Sequence, residues 1–220
     1  MRVKICGITR PDQGVAIARL GATALGFICV PASPRYVAPE QIRTVTEALL
    51  ADDRGSRVER IGVFVNASLD EIQRTAAIAQ LSGIQLHGTE SPEFCQQLRQ
   101  HLPEISLIKA LRIKDAEAIA AIPPYFDCVD ALLLDAYHPH LWGGTGETLD
   151  WSMLKAFRPP LPWLLAGGLT PDNLQAALTS LQPSGIDLSS GVENAPGDKN
   201  LVKVEQIFQA IAAFQAAAAL

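Results

Sequence analysis

The stretch ALLLDAY (131–137) runs four apolar residues together and then sets a carboxylate, Asp135, at their end. A short apolar run without alternation is what a strand buried on both faces of a parallel sheet requires. Seven more such runs lie around it: RVKIC (2–6), ALGFICV (24–30), RIGVFV (60–65), GIQLH (83–87), ISLIKAL (105–111), PWLLAGG (162–168) and GIDLSS (185–190). Each is followed by a turn signal and a helix-like stretch. Pro11 and Asp12 open one helix that ends near Gly21. Ser68 and Glu71 have capping-box spacing ahead of a helix ending near Gly83. Ser91-Pro92 and Thr170-Pro171 each supply a cap and a first helical residue. The weakest helix is the sixth, TLDWSMLKAF (148–157). Eight strand–helix alternations in 220 residues predict one closed (β/α)8 TIM barrel, an α/β fold spanning residues 1–220 as a single domain. A doubly wound open sheet is the alternative.

Composition narrows the partners. Nearly half of the residues are apolar, enough for a large core. A net charge of −5 offers no electrostatic footprint for nucleic acid or anionic membrane. No stretch reaches 18 uninterrupted apolar residues, so no membrane span is expected. The four cysteines, Cys6, Cys29, Cys95 and Cys128, lack C-x-x-C spacing, and the opening MRVKICGITR carries charges without the apolar run of a signal peptide, so none is expected. Reduced thiols in a cytoplasmic chain are the plain expectation. The default oligomeric state is a monomer, with a homodimer as the alternative.

In such a barrel the chemistry lies at the C-terminal ends of the strands. There the sequence places Cys6-Gly7, Arg35, His87, Asp135, Gly167-Gly168 and Ser189-Ser190-Gly191. The glycine and serine turns after strands 7 and 8 occupy the positions where these barrels bind phosphate. A short helix starting near Val192 would aim its positive end at the anion. Cys6 is either a packed small hydrophobe or a working thiol. A carboxylate at Asp135 is costly to bury without a partner or a task. Arg35, beside stiffening prolines, suits a planar carboxylate. His87 suits an orienting or binding role. Cys29, Cys95 and Cys128 read as structural. His138 and His140, with Pro139 between them, are weak grounds for a metal, and GGTGET (143–148) lacks the lysine of a nucleotide-binding loop. No metal and no cofactor is therefore expected. The long 136–149 loop reads as a mobile cover over the site.

Taken in order, KICGIT, GFICVPASPRYV, GVFV, IQLHG, LLLDAYHPHLWGGTGETLDW, LAGGLTPDN and GIDLSSGVENAPGDKN resemble the successive motifs of the phosphoribosylanthranilate isomerases. The resemblance runs from residue 3 to about residue 205. It implies an Amadori rearrangement in tryptophan biosynthesis, in which N-(5-phosphoribosyl)anthranilate becomes 1-(o-carboxyphenylamino)-1-deoxyribulose 5-phosphate. It makes Asp135 the general acid and Cys6 the general base. Arg35, His87 and Asp187 bind the substrate, and Gly167, Gly168, Ser189, Ser190 and Gly191 hold its phosphate. A base needs the thiolate, so the pKa of Cys6 should be lowered. Lys4 shares a strand face with Cys6 and is the nearest cation to do it. Cys29 and Asn200 depart from the family pattern. The first affects only packing, and Asn200 should still cap the following helix. The alternatives are a non-catalytic phospho-ligand barrel and another phosphosugar isomerase or epimerase. An epimerase would need metal-binding histidines at the strand ends, and an indole-glycerol-phosphate synthase would need glutamates there.

Overall fold

A computed structural model describes residues 1–136 and 151–218. Eight parallel strands close into a barrel in sequence order, β1 (Arg2–Cys6), β2 (Ala24–Ile28), β3 (Glu59–Phe64), β4 (Gly83–Leu86), β5 (Ser106–Ile113), β6 (Ala131–Ala136), β7 (Trp163–Leu165) and β8 (Gly185–Leu188). The ring is sealed by β1 against β8, with Lys4 opposite Asp187. The open-sheet alternative is thereby excluded. Around the barrel run α1 (Pro11–Leu20), α2 (Pro39–Leu50), α3 (Leu69–Ala79), α4 (Pro92–His101), α5 (Ala116–Ala120), α6 (Leu174–Leu181) and α7 (Leu201–Ala218). No helix among the described residues is long and apolar enough to cross a membrane.

The unbroken apolar runs have two jobs. Outward residues such as Val3, Ile5, Leu132, Leu134 and Ile186 pack beneath the helices. Inward residues, Ala24, Ile61, Ile108, Ala110, Ala131, Leu133, Leu164 and Ala166, form a separate cluster that fills the barrel. Each fully buried Leu or Ile contributes about 1.5–3 kcal/mol. Towards the C-terminal ends of β1, β4, β5, β6 and β8, the inward positions turn polar. They become Cys6, His87, Arg112, Asp135 and Asp187. The apolar plug thus forms the floor on which the polar mouth is built.

Several helix starts follow the sequence. Ser68 and Ser91 each accept a hydrogen bond from the backbone N–H three residues on, at Glu71 and Phe94. Asn200 caps α7 by accepting from the Lys203 N–H. Four expectations are corrected. First, α3 ends at Gln80, whose φ of 52° turns the chain, while Gly83 already lies in β4. Second, α6 starts at Leu174 rather than at Thr170-Pro171, because the Asn173 side chain bridges the Thr170 N–H and the Gly168 carbonyl and keeps those residues in a turn. Third, residues 151–154 form a 3-10 turn, not an α-helix. Fourth, no helix starts at Val192. A 3-10 turn at Ser190–Val192 leads into a small antiparallel hairpin of β9 (Glu193–Ala195) and β10 (Asp198–Lys199). Buried charge pairing at Glu193 draws the chain that way.

Candidate active site

The mouth of the barrel gathers ionisable groups from β1, β4, β5, β6 and β8. On β1, Lys4 is wholly buried and its Nζ donates to Asp187 Oδ1 at 3.0 Å. The same ammonium is the nearest positive charge acting on Cys6. Room for this comes from Gly26 of β2. A Cβ there would stand 2.6 Å from Cys6 Sγ and 3.0 Å from Lys4 Nζ. Cys6, Lys4 and Asp187 thus form one buried cluster across the β8–β1 seam.

Its electrostatics correct one expectation. The Cys6 thiol is pushed up, not down, because burial outweighs the neighbouring Lys4 ammonium. Burial also pushes the Asp187 carboxyl up, with Lys4 pulling it back and the nearby Asp135 adding to the rise. Burial alone would lower Lys4, but Asp187 and Cys6 more than offset it and hold it above the ordinary lysine value. Of the other thiols, those of Cys29 and Cys95 are pushed up to about 12, chiefly by burial. All four cysteines are free and buried.

Across the mouth, Asp135 ends β6 and is 5 % exposed. His87 Nε2 lies 3.4 Å from its Oδ2. Arg112 of β5 is the register partner of Asp135 and faces inward with it. A cavity of about 220 Å³ opens here, lined by His87, Gly88, Ala110, Leu111, Arg112 and Lys114. The loop holding His87 is pinned from outside the barrel. Glu90 accepts from the Gly88 and Asn66 N–H groups and from the buried Lys109 ammonium at 2.7 Å.

Arg35 meets a carboxylate, but one of the protein's own. Its Nε and Nη2 both donate to Glu193, at 3.0 and 2.7 Å, and Lys199 Nζ donates to the same carboxylate at 2.6 Å. Burial would raise the Glu193 carboxyl, yet Arg35 and Lys199 overcome it and hold it below the ordinary glutamate value. This three-charge knot stands beside β1 and β8. A Cβ on Gly7 would touch Arg35 Cδ at 2.8 Å, and Ser189 Oγ and Lys199 Nζ at 3.4 Å.

The two turns after β7 and β8 come together. Gly167 and Gly168 have φ of 90° and 60°, a left-handed pair that residues with a Cβ rarely adopt. Gly191 packs directly on the Leu169 carbonyl, which leaves no space for a side chain. Ser189 and Ser190 lie in the adjoining turn.

The structure therefore brings Cys6 and Asp187 together through Lys4, and His87 against Asp135. It sets Arg35 beside Gly7 and Ser189, and joins the two glycine turns. His138, His140 and the GGTGET segment lie outside the described residues. Among those described, no group of three His, Cys, Asp or Glu side chains could hold a metal ion. Sequence reasoning missed Gln85, Arg112, Glu193 and Lys199. The period of two would have found Gln85 and Arg112, since both share the inward parity of their strands. Nothing local marks Glu193 or Lys199, whose partners come from elsewhere in the chain.

The chain is similar to known proteins along nearly its whole length. Residues 3–210 match the family model described as N-(5'phosphoribosyl)anthranilate (PRA) isomerase. The chain is 63% identical to the N-(5'-phosphoribosyl)anthranilate isomerase of Acaryochloris marina over 96% of this chain and 98% of that one. The crystal structure of phosphoribosyl anthranilate isomerase from Thermus thermophilus superposes with a TM-score of 0.84 at 39% identity, covering 97% of this chain and 99% of that one. Another, solved in complex with reduced 1-(o-carboxyphenylamino)-1-deoxyribulose 5-phosphate, superposes with a TM-score of 0.83 at 31% identity, with the same coverage. On the motifs in sequence order, the closed barrel and these relatives, the chain belongs to the N-(5'-phosphoribosyl)anthranilate isomerase family of tryptophan biosynthesis.

Proposed function

We propose that Asp135 and Cys6, facing each other across the polar mouth, are the acid and the base of the family's isomerisation. The reaction opens the furanose of N-(5'-phosphoribosyl)anthranilate and moves one proton to convert an aminoaldose into an aminoketose. Asp135 gives its proton to the ring oxygen as the bond from that oxygen to C1 breaks. The anthranilate nitrogen lone pair becomes the C=N bond of an iminium. Cys6 thiolate then removes the proton from C2, and those electrons form an enolamine that tautomerises to the ketone. The substrate gains one proton from Asp135 and loses one to Cys6, so the cycle closes when one proton passes, through solvent, from the Cys6 thiol back to the Asp135 carboxylate.

The observation that carries this reading is the Cys6–Lys4–Asp187 cluster, in which a buried ammonium paired with Asp187 and the Cys6 thiol both border the space that Gly26 leaves open. A purely structural thiol has no need of such a neighbour. The Lys4 charge and, once the ring has opened, the iminium charge both favour thiolate over thiol. At the phosphate end, the left-handed Gly167-Gly168 turn and the Ser189–Gly191 turn offer backbone N–H groups with no Cβ to hold an anion off. Arg35 spends Nε and Nη2 on Glu193, so its Nη1 is the group assigned to the anthranilate carboxylate. Binding both ends of the substrate would fix the reacting carbons between acid and base.

Loss of substrate fluorescence, with the substrate made in situ from anthranilate and phosphoribosyl pyrophosphate, tests the assignment. Wild type should turn over with chelator present. Asp135→Asn and Cys6→Ala should each lose about 10² to 10⁴ in kcat. Near-normal turnover by either variant would sink its assignment.

A further inference from the structure

Gln85 takes no part in the steps above, yet it sits in the barrel just below the reacting groups. It is 1 % exposed and shares the inward parity of β4 with His87. Its Nε2 lies 2.9 Å from His87 Nδ1. The other imidazole nitrogen, Nε2, is buried and faces Asp135 Oδ2 at 3.4 Å. It has no hydrogen-bond partner among the described residues. The protonation of one imidazole nitrogen is set by the bond the other makes. With the amide NH2 turned to Nδ1, that nitrogen accepts, and the proton of the neutral ring then lies on Nε2.

Two consequences follow for Asp135. A protonated Nε2 is not a base, so His87 cannot withdraw the proton that Asp135 delivers to substrate. When that proton has left, the Nε2–H lies 3.4 Å from the new carboxylate with no other bond to give up. The 3.4 Å contact then shortens into a charge-assisted hydrogen bond. A donor held beside developing charge, with no competing partner, is an effective form of transition-state stabilisation. Among the described residues, Arg112 on β5 and Asp187 on β8 bring further charge to this point from other strands.

We infer that Gln85 is a positioning residue: it locks His87 as the Nε2–H tautomer, and His87 in turn serves Asp135 before and after proton transfer. This rests on the reading of Asp135 as the acid. Gln85 Oε1 is itself buried without a partner among the described residues. A residue present only to fill space would be better replaced by methionine.

The test is the tautomer of His87 read by NMR of ¹⁵N-histidine-labelled enzyme, together with steady-state kinetics of Gln85→Met and Gln85→Glu. Wild type should carry its proton on Nε2. The carboxylate of Gln85→Glu draws the proton to Nδ1 and leaves Nε2 a base. Its kcat should fall about tenfold or more with KM within about twofold of wild type. Gln85→Met should fold as well as wild type, show a mixed tautomer and also lose kcat. An Nδ1–H tautomer in wild type overturns the inference without a variant, so a misfolded Gln85→Glu protein would not rescue it. A switched tautomer with unchanged kcat also overturns it. If Asp135→Asn keeps its turnover, the acid assignment fails instead, and the wild-type tautomer still reports on Gln85 separately.

Discussion

Lys4 lies wholly buried between a carboxylate and a thiol, and that position makes it the charge most felt by Cys6. Burial already lifts the thiol above its ordinary pKa, so Lys4 is what keeps the thiolate within reach. Lys4→Met removes this opposition and lets the thiol climb further. Each unit of climb cuts the thiolate fraction tenfold at fixed pH, so activity near neutrality should fall by about tenfold or more. The ionisation governing the base should move to higher pH, and part of the loss should return there. A pH profile of kcat/KM for the variant checks this. An unmoved limb would mean that Lys4 serves packing and Asp187 alone. At this scale the sequence was half legible. Strand parity placed Lys4 and Cys6 on one inward face, and the lone carboxylate after ALLL flagged Asp135. The direction of the Cys6 shift was not legible, because it depends on how much apolar matter surrounds the thiol. No spacing along one strand reports that. Arg35 shows the same limit from the other side. Its fork looked free for a ligand until folding brought Glu193, 158 residues away, into reach.

Elements report themselves better where their signals are local. Ser91-Pro92 marks the start of α4 because cap and first turn lie within three residues. The start of α6 was misplaced because Asn173 reaches back to Gly168 and Thr170, a tertiary-looking bond made inside one loop. That loop also fixes the left-handed pair Gly167-Gly168, so the same side chain that delays the helix presents the turn. Gly168→Ala puts a Cβ into a backbone conformation that costs of order 1 kcal/mol or more. The expected outcome is a raised KM for the phosphorylated substrate with a smaller change in kcat, measured by initial rates. An unchanged KM would remove this turn from phosphate binding. The hairpin of β9 and β10 was unforeseen for a related reason. Its extended shape answers to the buried pairing of Glu193 with Arg35 and Lys199, not to strand propensity in ENA or DK.

For the molecule as a whole, the eightfold repeat was read directly, since each unit carries its own apolar run and turn. What the repeat could not show is the division of labour inside the ring, an apolar floor below and a polar mouth above. Leu133→Ala, in the centre of that floor, should cost about 2–5 kcal/mol in urea unfolding while leaving KM near wild type. A large rise in KM with little loss of stability would show that floor and mouth are not separable. The seam between β1 and β8 reaches further still. Lys4 meets Asp187 across 183 residues, so a polypeptide emerging from the ribosome displays its ammonium and thiol long before their counter-charge has been made. The ring closes, and the enzyme begins to work, only when its eighth strand arrives, so unfinished copies are silent.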